Sequence, residues 1–496
     1  MANSAPNCYA PAMASNPARC ASSSATELLL LSATALATGI RRRELSCEEV
    51  VRFFLGRAER LDSDLQAFVQ LTGAQAVLDA RLKDRALALR SLLRNERLPP
   101  FYGVPVGIKD LNFARGTFTR FGSRSFRHLW TPFDDRTTAS LRRAGFVVMG
   151  KLATSEFGTM PVTEPDIHPP TRNPWNLEFS AGGSSGGSGA AVAAGLVPIA
   201  QGSDGAGSIR IPSAFCHLFG LKPSRWRVPD PYGRDDRTSL VSTGPMAHSV
   251  EDAAGMLDAL AGTWNGREHW APKPAHTFAA GVRNVSERGA ARPLRVRFSA
   301  ASPIARVDPE VRAALEETLR VVASLGHHVE EGKVPDGSLA EFLPVWQHMV
   351  ASVSVPAEGG VQSITRWLRV AGRAIPKGFA LQRRGELRAR IHAWFGDADI
   401  WITPTVPAPP PRIGTWRDGD PATAFEQAAD IGAFTAAFNL GGHPAASVPA
   451  GLTRAGMPIG VQLAGRLFEE ETVLGLARQI ELAAPWAGRR SPFFAR

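Results

Sequence analysis

The chain is 496 residues long, 44% hydrophobic and 21% charged, the balance of a globular protein rather than a disordered or fibrous one. Its formal charge is +10 at pH 7, but arginine and acidic residues are interleaved, as in RRRELSCEEVVRFFLGRAER (41–60), so no concentrated patch for nucleic acid stands out. The four cysteines, without CxxC spacing, point to a reducing, cytoplasmic setting and away from a disulfide framework or a metal site.

Taken in chain order, residues 1–25 are rich in Ala, Ser, Pro and Asn and read as a mobile tail. LLLLSATALATG (28–39) resembles a signal-peptide core, but its basic residues follow it at 41–43, so it reads as the first helix of the domain. No apolar run approaches the ~20 residues that span a bilayer, and no membrane partner is expected. Ser32 is placed to cap a helix through about Leu45, and Ser46 with Glu49 makes a capping box for the next. VPVGI (104–108) and FVVMG (146–150) read as strands on either side of a helix, RTTASLRRAG (136–145). LRVRFS (294–299) precedes a helix at 308–326, where Asp308 caps, Pro309 fits the first turn and Gly326 closes. DIWITPTVP (399–407) and PIGVQLAG (458–465) are strand-like, and EEETVLGLARQIELAA (469–484) is a closing helix.

Strands alternating with helices predict a layered α/β fold around a mainly buried sheet, with no internal repeat and no long linker. Residues 262–290 read as a surface excursion. Six of the eleven tryptophans fall between 264 and 401, where they serve either as packing or as the wall of an apolar pocket.

Two Gly/Ser clusters carry the chemical signal, GGSSGGSGAA (182–191) and GSDGAGSIRIPSAF (202–215). A linker explains neither, because AAVAAGLVPIA (190–200) between them is a small-residue, tightly packing segment. No Gly-Lys-Ser/Thr follows, so the first cluster is not a phosphate loop. In the second, a small-residue turn leads into Ser208, and successive backbone N–H groups there can converge on one spot as an oxyanion hole does. A serine hydroxyl needs a base. No Gly-x-Ser-x-Gly elbow surrounds Ser208 and no histidine carries a triad signature; His217 and His443 read as packing residues. Only seven residues are lysine, and Lys109 ends the apolar GVPVGIK segment. Burial there would lower its pKa enough to make it a base. Taken alone, the segment favours the plainer reading of a snorkelling lysine or one ion-paired to Asp110.

Together, GVPVGIKD, GGSSGGSGAA and GSDGAGSIRIPSAF, in this order and spacing, resemble the amidase signature family. NPWN (173–176), GLKPS (220–224), GPMAHSVEDAA (244–254), ITPTVPAPPP (402–411), FNLGGHPAASVPAG (438–451) and PIGVQLAGR (458–466) extend the likeness from about residue 27 to 485. The resemblance implies an α/β/α fold with a central mixed sheet, in one domain over 26–496 with a signature core at about 100–225 and a substrate-pocket region at about 225–400. It also implies a Ser-cisSer-Lys triad: Ser208 as nucleophile, Ser184 after a cis peptide as bridge, and Lys109 as base. Gly205, Ala206, Gly207 and Ser208 match the oxyanion hole, Ser185 a serine that helps hold the relay, and Asp204 and Arg210 structural supports. Cys216 reads as a packing residue.

The activity implied is hydrolysis of a small or medium apolar carboxamide, anilide, oligoamide or carbamate through an acyl-enzyme, with esterase side activity. No cofactor or metal is implied; members are often homodimers, but nothing in the sequence identifies an interface. A non-catalytic binding protein on the same fold, or an amidotransferase A-type subunit, is the alternative. The chain departs from the common pattern at Ala206, where glycine is usual, at His248, where arginine is common, and at Ile211, where the amidotransferase chains carry glutamine. SLAEFLPVWQHMVASVSVP (338–356) is apolar enough to line a channel.

Overall fold

PVGIK (105–109) is buried at every position, and a strand buried on both faces belongs inside a sheet covered on both sides. The computed structural model describes residues 25–92, 98–233, 239–262, 271–289 and 292–496; two short two-stranded sheets aside, its strands form one 11-stranded mixed sheet. In chain order these are β1 (Phe68–Leu71), β2 (Pro105–Lys109), β3 (Val147–Leu152), β4 (Ile199–Asp204), β5 (Phe219–Lys222), β6 (Ser242–Ala247), β7 (Arg295–Phe298), β8 (His328–Glu331), β9 (Ile400–Pro404), β10 (Ala445–Leu452) and β11 (Pro458–Gly465). They lie side by side as β1-β3-β2-β4-β6-β5-β10-β11-β9-β7-β8. β2 runs parallel to both β3 and β4, whereas β6, β5, β10, β11 and β9 are joined antiparallel.

The strands expected from the sequence appear as β2, β3, β7, β9 and β11, the last with the expected bounds. Their helices also form: Arg136–Arg143, Pro309–Ser324 capped by Asp308, and Glu470–Ala483. Ser46 and Glu49 close both halves of the capping box on Cys47–Leu65. Ser32 caps Ala33–Arg41, a helix that ends four residues before the expected Leu45. Leu36, Ala37 and Ile40 of that helix lie in the main core. The expected tail lies outside the described residues except for Ala25, which opens a helix through Leu30. Of the expected surface excursion, 263–270 lie outside the described residues, and Phe278–Arg288 is a helix.

Candidate active site

β2 and β4 are parallel neighbours, with Gly107 paired to Ala200, so their carboxyl ends lie at the same edge of the sheet, and such strand ends are where open α/β sheets place their sites. β2 ends at Lys109, and β4 ends at Ser203 and Asp204. The turn Gly205–Ser208 follows, and the helix Arg210–Cys216 begins just beyond it. The other Gly/Ser cluster enters the helix Gly186–Ala193 through Ser184 and Ser185, and the Gly183–Ser184 peptide is cis.

Lys109 is 0% exposed. Its Nζ donates to Ser184 Oγ at 2.7 Å, to Ser203 Oγ at 3.1 Å and to the Ser203 carbonyl at 3.3 Å. The adjacent carboxylate does not hold it, because Asp110 Oδ1 is taken by Lys151 Nζ at 2.7 Å. No salt bridge to Lys109 exists among the described residues. Burial lowers its pKa to about 7, against the pull of the more distant Asp204 charge. The ion-pair reading of this lysine is therefore excluded, and a buried amine within reach of a hydroxyl, its pKa lowered toward neutrality, is what remains.

Ser208 is 8% exposed and shares a cavity with Ser184 and Ser203. No hydrogen bond joins the Ser184 and Ser208 hydroxyls here. The two serines are tied instead through Ser185, whose N–H donates to the Ser208 carbonyl at 3.2 Å and whose hydroxyl donates to the Ser203 carbonyl at 3.2 Å. Hydroxyl contacts of this kind commonly tighten only when substrate is bound.

Gly207 departs from expectation as an oxyanion donor. Its N–H donates to Asp204 Oδ1 at 2.7 Å, which leaves the Gly205, Ala206 and Ser208 amides of the expected four. Gly207 has φ +130°, and a Cβ there would clash with Thr435 Oγ1, so the turn needs a glycine at this position. Ala206 has no positive φ, which is why its methyl group is tolerated.

Asp204 and Arg210 form a fully buried pair at 2.9 Å. Burial opposes ionisation of Asp204, but the Arg210 guanidinium, the Lys222 charge and the Asn439 amide together hold its carboxyl well below the usual range. Arg210 also donates to Gln462 Oε1 at 2.6 Å and to the Thr435 carbonyl at 3.0 Å, while Asn439 donates to the Asp204 carbonyl at 2.8 Å.

Sequence reasoning missed Ser203, Thr435, Asn439 and Gln462, although Ser203, Asn439 and Gln462 lie within quoted motifs. It also missed Gly158 (φ +75°), where a Cβ would sit 3.2 Å from Ser184 Oγ; nothing in EFGTM (156–160) signals this. His443 stacks on Phe395 at 4.4 Å and its Nδ1 lies 3.0 Å from the Gly465 carbonyl. His217 meets Trp175 edge-on. Burial raises the Cys216 thiol pKa. Among the described residues no group of three or more His, Cys, Asp or Glu could hold a metal ion.

Two cavities meet at Ser208. The smaller, of about 170 Å³, is bordered by Ala206, Ile211, Phe342, Trp346, Phe425 and Phe438. The larger, of about 460 Å³, is bordered by Ser184, Ser203, Gly205, Phe126, Phe157 and Trp346. Segment 338–356 does line them, as the helix Leu339–Ala351 and the residues after it. The walls are not confined to 225–400, however: residues 425–440 close the smaller cavity and 111–129 the larger. Of the clustered tryptophans, Trp346 and Trp394 are wall residues and Trp401 is core.

The Amidase family model matches residues 49–474. A putative amidase of a Synechocystis strain is 35% identical, over 92% of this chain and 89% of that protein. A component chain of the glutamyl-tRNA(Gln) amidotransferase of Chromohalobacter salexigens is 32% identical, over 93% and 98%. The structure of 6-aminohexanoate cyclic dimer hydrolase complexed with substrate superposes with TM-score 0.84 and 30% identity, over 94% of this chain and 99% of that one.

Proposed function

The chain belongs to the amidase family and is a hydrolase of amide C–N bonds, and we propose that it works through an acyl-enzyme on Ser208 with a Lys109–Ser184 proton relay. One observation carries this reading: a buried, carboxylate-free Lys109 amine lies 2.7 Å from Ser184 Oγ, in a cavity that Ser208 also borders. Neutral Lys109 accepts the Ser184 proton while Ser184 takes one from Ser208, whose Oγ attacks the carbonyl carbon. The Gly205, Ala206 and Ser208 amides stabilise the oxyanion, each donor being worth roughly 3–4 kcal/mol. The relay then returns the proton to the leaving nitrogen as the C–N bond breaks. Water, deprotonated by the same relay, releases the acid. Ser185, Asp204 and Arg210 position these groups without touching the reacting atoms.

Apolar walls on both sides of Ser208 favour a small or medium apolar carboxamide, anilide, oligoamide or carbamate, with ester cleavage as side activity. No described helix is long and apolar enough to cross a membrane, and the buried free thiols of Cys47 and Cys216 accord with a cytoplasmic setting. The kinship with an amidotransferase component favours a second reading, release of ammonia for a partner protein. Against it, Ile211 lines the smaller cavity and offers a polar carboxamide side chain no partner.

The test is hydrolysis of matched anilides, primary amides, carbamates and esters by wild type and Ser208→Ala, with fluorophosphonate labelling alongside. Turnover and labelling that vanish together in a folded variant support the mechanism. Amide turnover retained by the variant refutes it, and an unlabelled, inactive wild type points to a non-catalytic binding protein.

A further inference from the structure

The two cavities at Ser208 are chemically unlike, and the difference assigns each arm of a substrate. Ser184 and Ser203 border only the larger cavity. The smaller one touches Ser208 and Ala206 but neither Ser184 nor Ser203. A leaving nitrogen must receive its proton from the relay, so it has to face Ser184. Acylation breaks the C–N bond and forms the Ser208 Oγ–C bond, and the acyl arm stays behind on Ser208, on the side away from Ser184.

The larger cavity continues outward along aromatic rings. Phe157 meets Phe126 edge-on with centroids 6.0 Å apart, Phe126 meets Phe121 at 5.0 Å, and Phe121 meets Phe113 at 5.9 Å. Phe113 in turn meets Phe133, which is 54% exposed. Rings offering edges and faces in this way favour an aromatic guest.

Trp346 borders both cavities. It is 5% exposed and its indole N–H has no hydrogen-bond partner among the described residues, so packing rather than hydrogen bonding holds it in place. A Cβ on Gly205 would meet its ring at 3.3 Å, and Phe342 stacks on it at 5.7 Å and 29°. The indole thus stands beside the oxyanion turn as a wall common to the two compartments.

Resting on the relay proposed above, we propose that Trp346 is a specificity-determining divider. It directs a compact apolar acyl arm into the Phe342/Phe425/Phe438 cavity and an aromatic amine arm into the Phe126/Phe157 cavity, so that the preferred substrate is a secondary N-aryl amide.

The experiment is a two-axis panel. Acyl length varies from acetyl to octanoyl on a fixed aniline, and the amine varies through ammonia, methylamine, aniline and naphthylamine on a fixed propionyl group. kcat/KM is measured for wild type, Phe342→Ala, Phe126→Ala, Trp346→Ala and the shape-conserving Phe126→Leu and Trp346→Phe, each checked for fold by circular dichroism. Wild type is expected to prefer aryl over alkyl amines by about tenfold or more. Phe126→Ala should erase that preference and leave the acyl-length profile alone; Phe342→Ala should do the reverse. Trp346→Ala should flatten both profiles, and Trp346→Phe should keep them.

Because the acyl-enzyme holds only the acyl arm, Phe126→Ala should leave the deacylation rate of a shared acyl group unchanged, whereas Phe342→Ala should alter it. Exchanged responses, or a wild type that prefers alkyl amines or ammonia, overturn the assignment while fluorophosphonate still labels Ser208. A wild type that neither cleaves any amide nor labels overturns the relay as well.

Discussion

A lysine serves as a base near neutral pH only where water is kept from its charge, and Lys109 shows what that requires of its neighbours. The adjoining Asp110 would restore an ordinary pKa if it turned inward, but Lys151 occupies it. With the Lys109 pKa lowered to about 7 by burial, the neutral form that the proposed relay needs gains as pH rises. We expect kcat/KM to increase through pH of about 7 and flatten above it; a flat profile with chemistry shown to be rate-limiting contradicts this. Folding lowers this pKa below the unfolded value of 10.5, so the native state takes up fewer protons and the charged amine opposes folding at acid pH. Lys109→Met is therefore expected to abolish turnover yet unfold in mildly acid urea at a midpoint no lower than wild type. Lys109, Ser184 and Ser208 could be named from the sequence because each lies in one of the contiguous motifs from which the proposed relay is read. Ser203 could not, since its partnership with Lys109 comes from the pairing of β2 with β4.

At the scale of elements, the turn between β4 and the helix Arg210–Cys216 is fixed from one side by Asp204, which accepts the Gly207 N–H, and from the other by Thr435. Gly207→Ala is expected to push the turn off Thr435, displacing the neighbouring amides and lowering kcat about 10²-fold, the scale of one lost oxyanion donor, while circular dichroism stays native. Arg210→Met removes one partner of a fully buried pair and should cost about 3–5 kcal/mol in urea unfolding; a cost under about 1 kcal/mol would mean the pair is not what holds the turn. The sequence singled out this turn by its small residues, but it treated Gly207 as a donor to substrate. That reading missed that the carboxylate gripped by Arg210 would claim the N–H first. Capping signals did better: Ser46 with Glu49, and Asp308 with Pro309, each act within one turn of helix, so local sequence settles them.

For the molecule as a whole, the sheet runs without interruption from β1 to β8, and β11, near the end of the chain, sits between β10 and β9. Gln462 on β11 reaches Arg210, so the site is assembled by strands from both halves. We expect a chain stopped after residue 457 to show no cooperative unfolding transition and no labelling of Ser208, as one domain over 26–496 requires; an active fragment would refute that unity. By itself the sequence determined the strand–helix alternation, the helix caps, the small-residue packing around the two serine loops and the identity of the three side chains proposed to react. Each of these is written in neighbouring residues or in a contiguous motif. Tertiary structure alone decided that Lys109 is free of Asp110, that Gly207 answers to Asp204, that Thr435, Asn439 and Gln462 brace the turn, and that Trp346 stands where two unlike cavities meet. Those facts depend on groups up to 252 positions apart in the chain, as Arg210 and Gln462 are, and only the packing of the sheet and its covering helices brings such groups within contact.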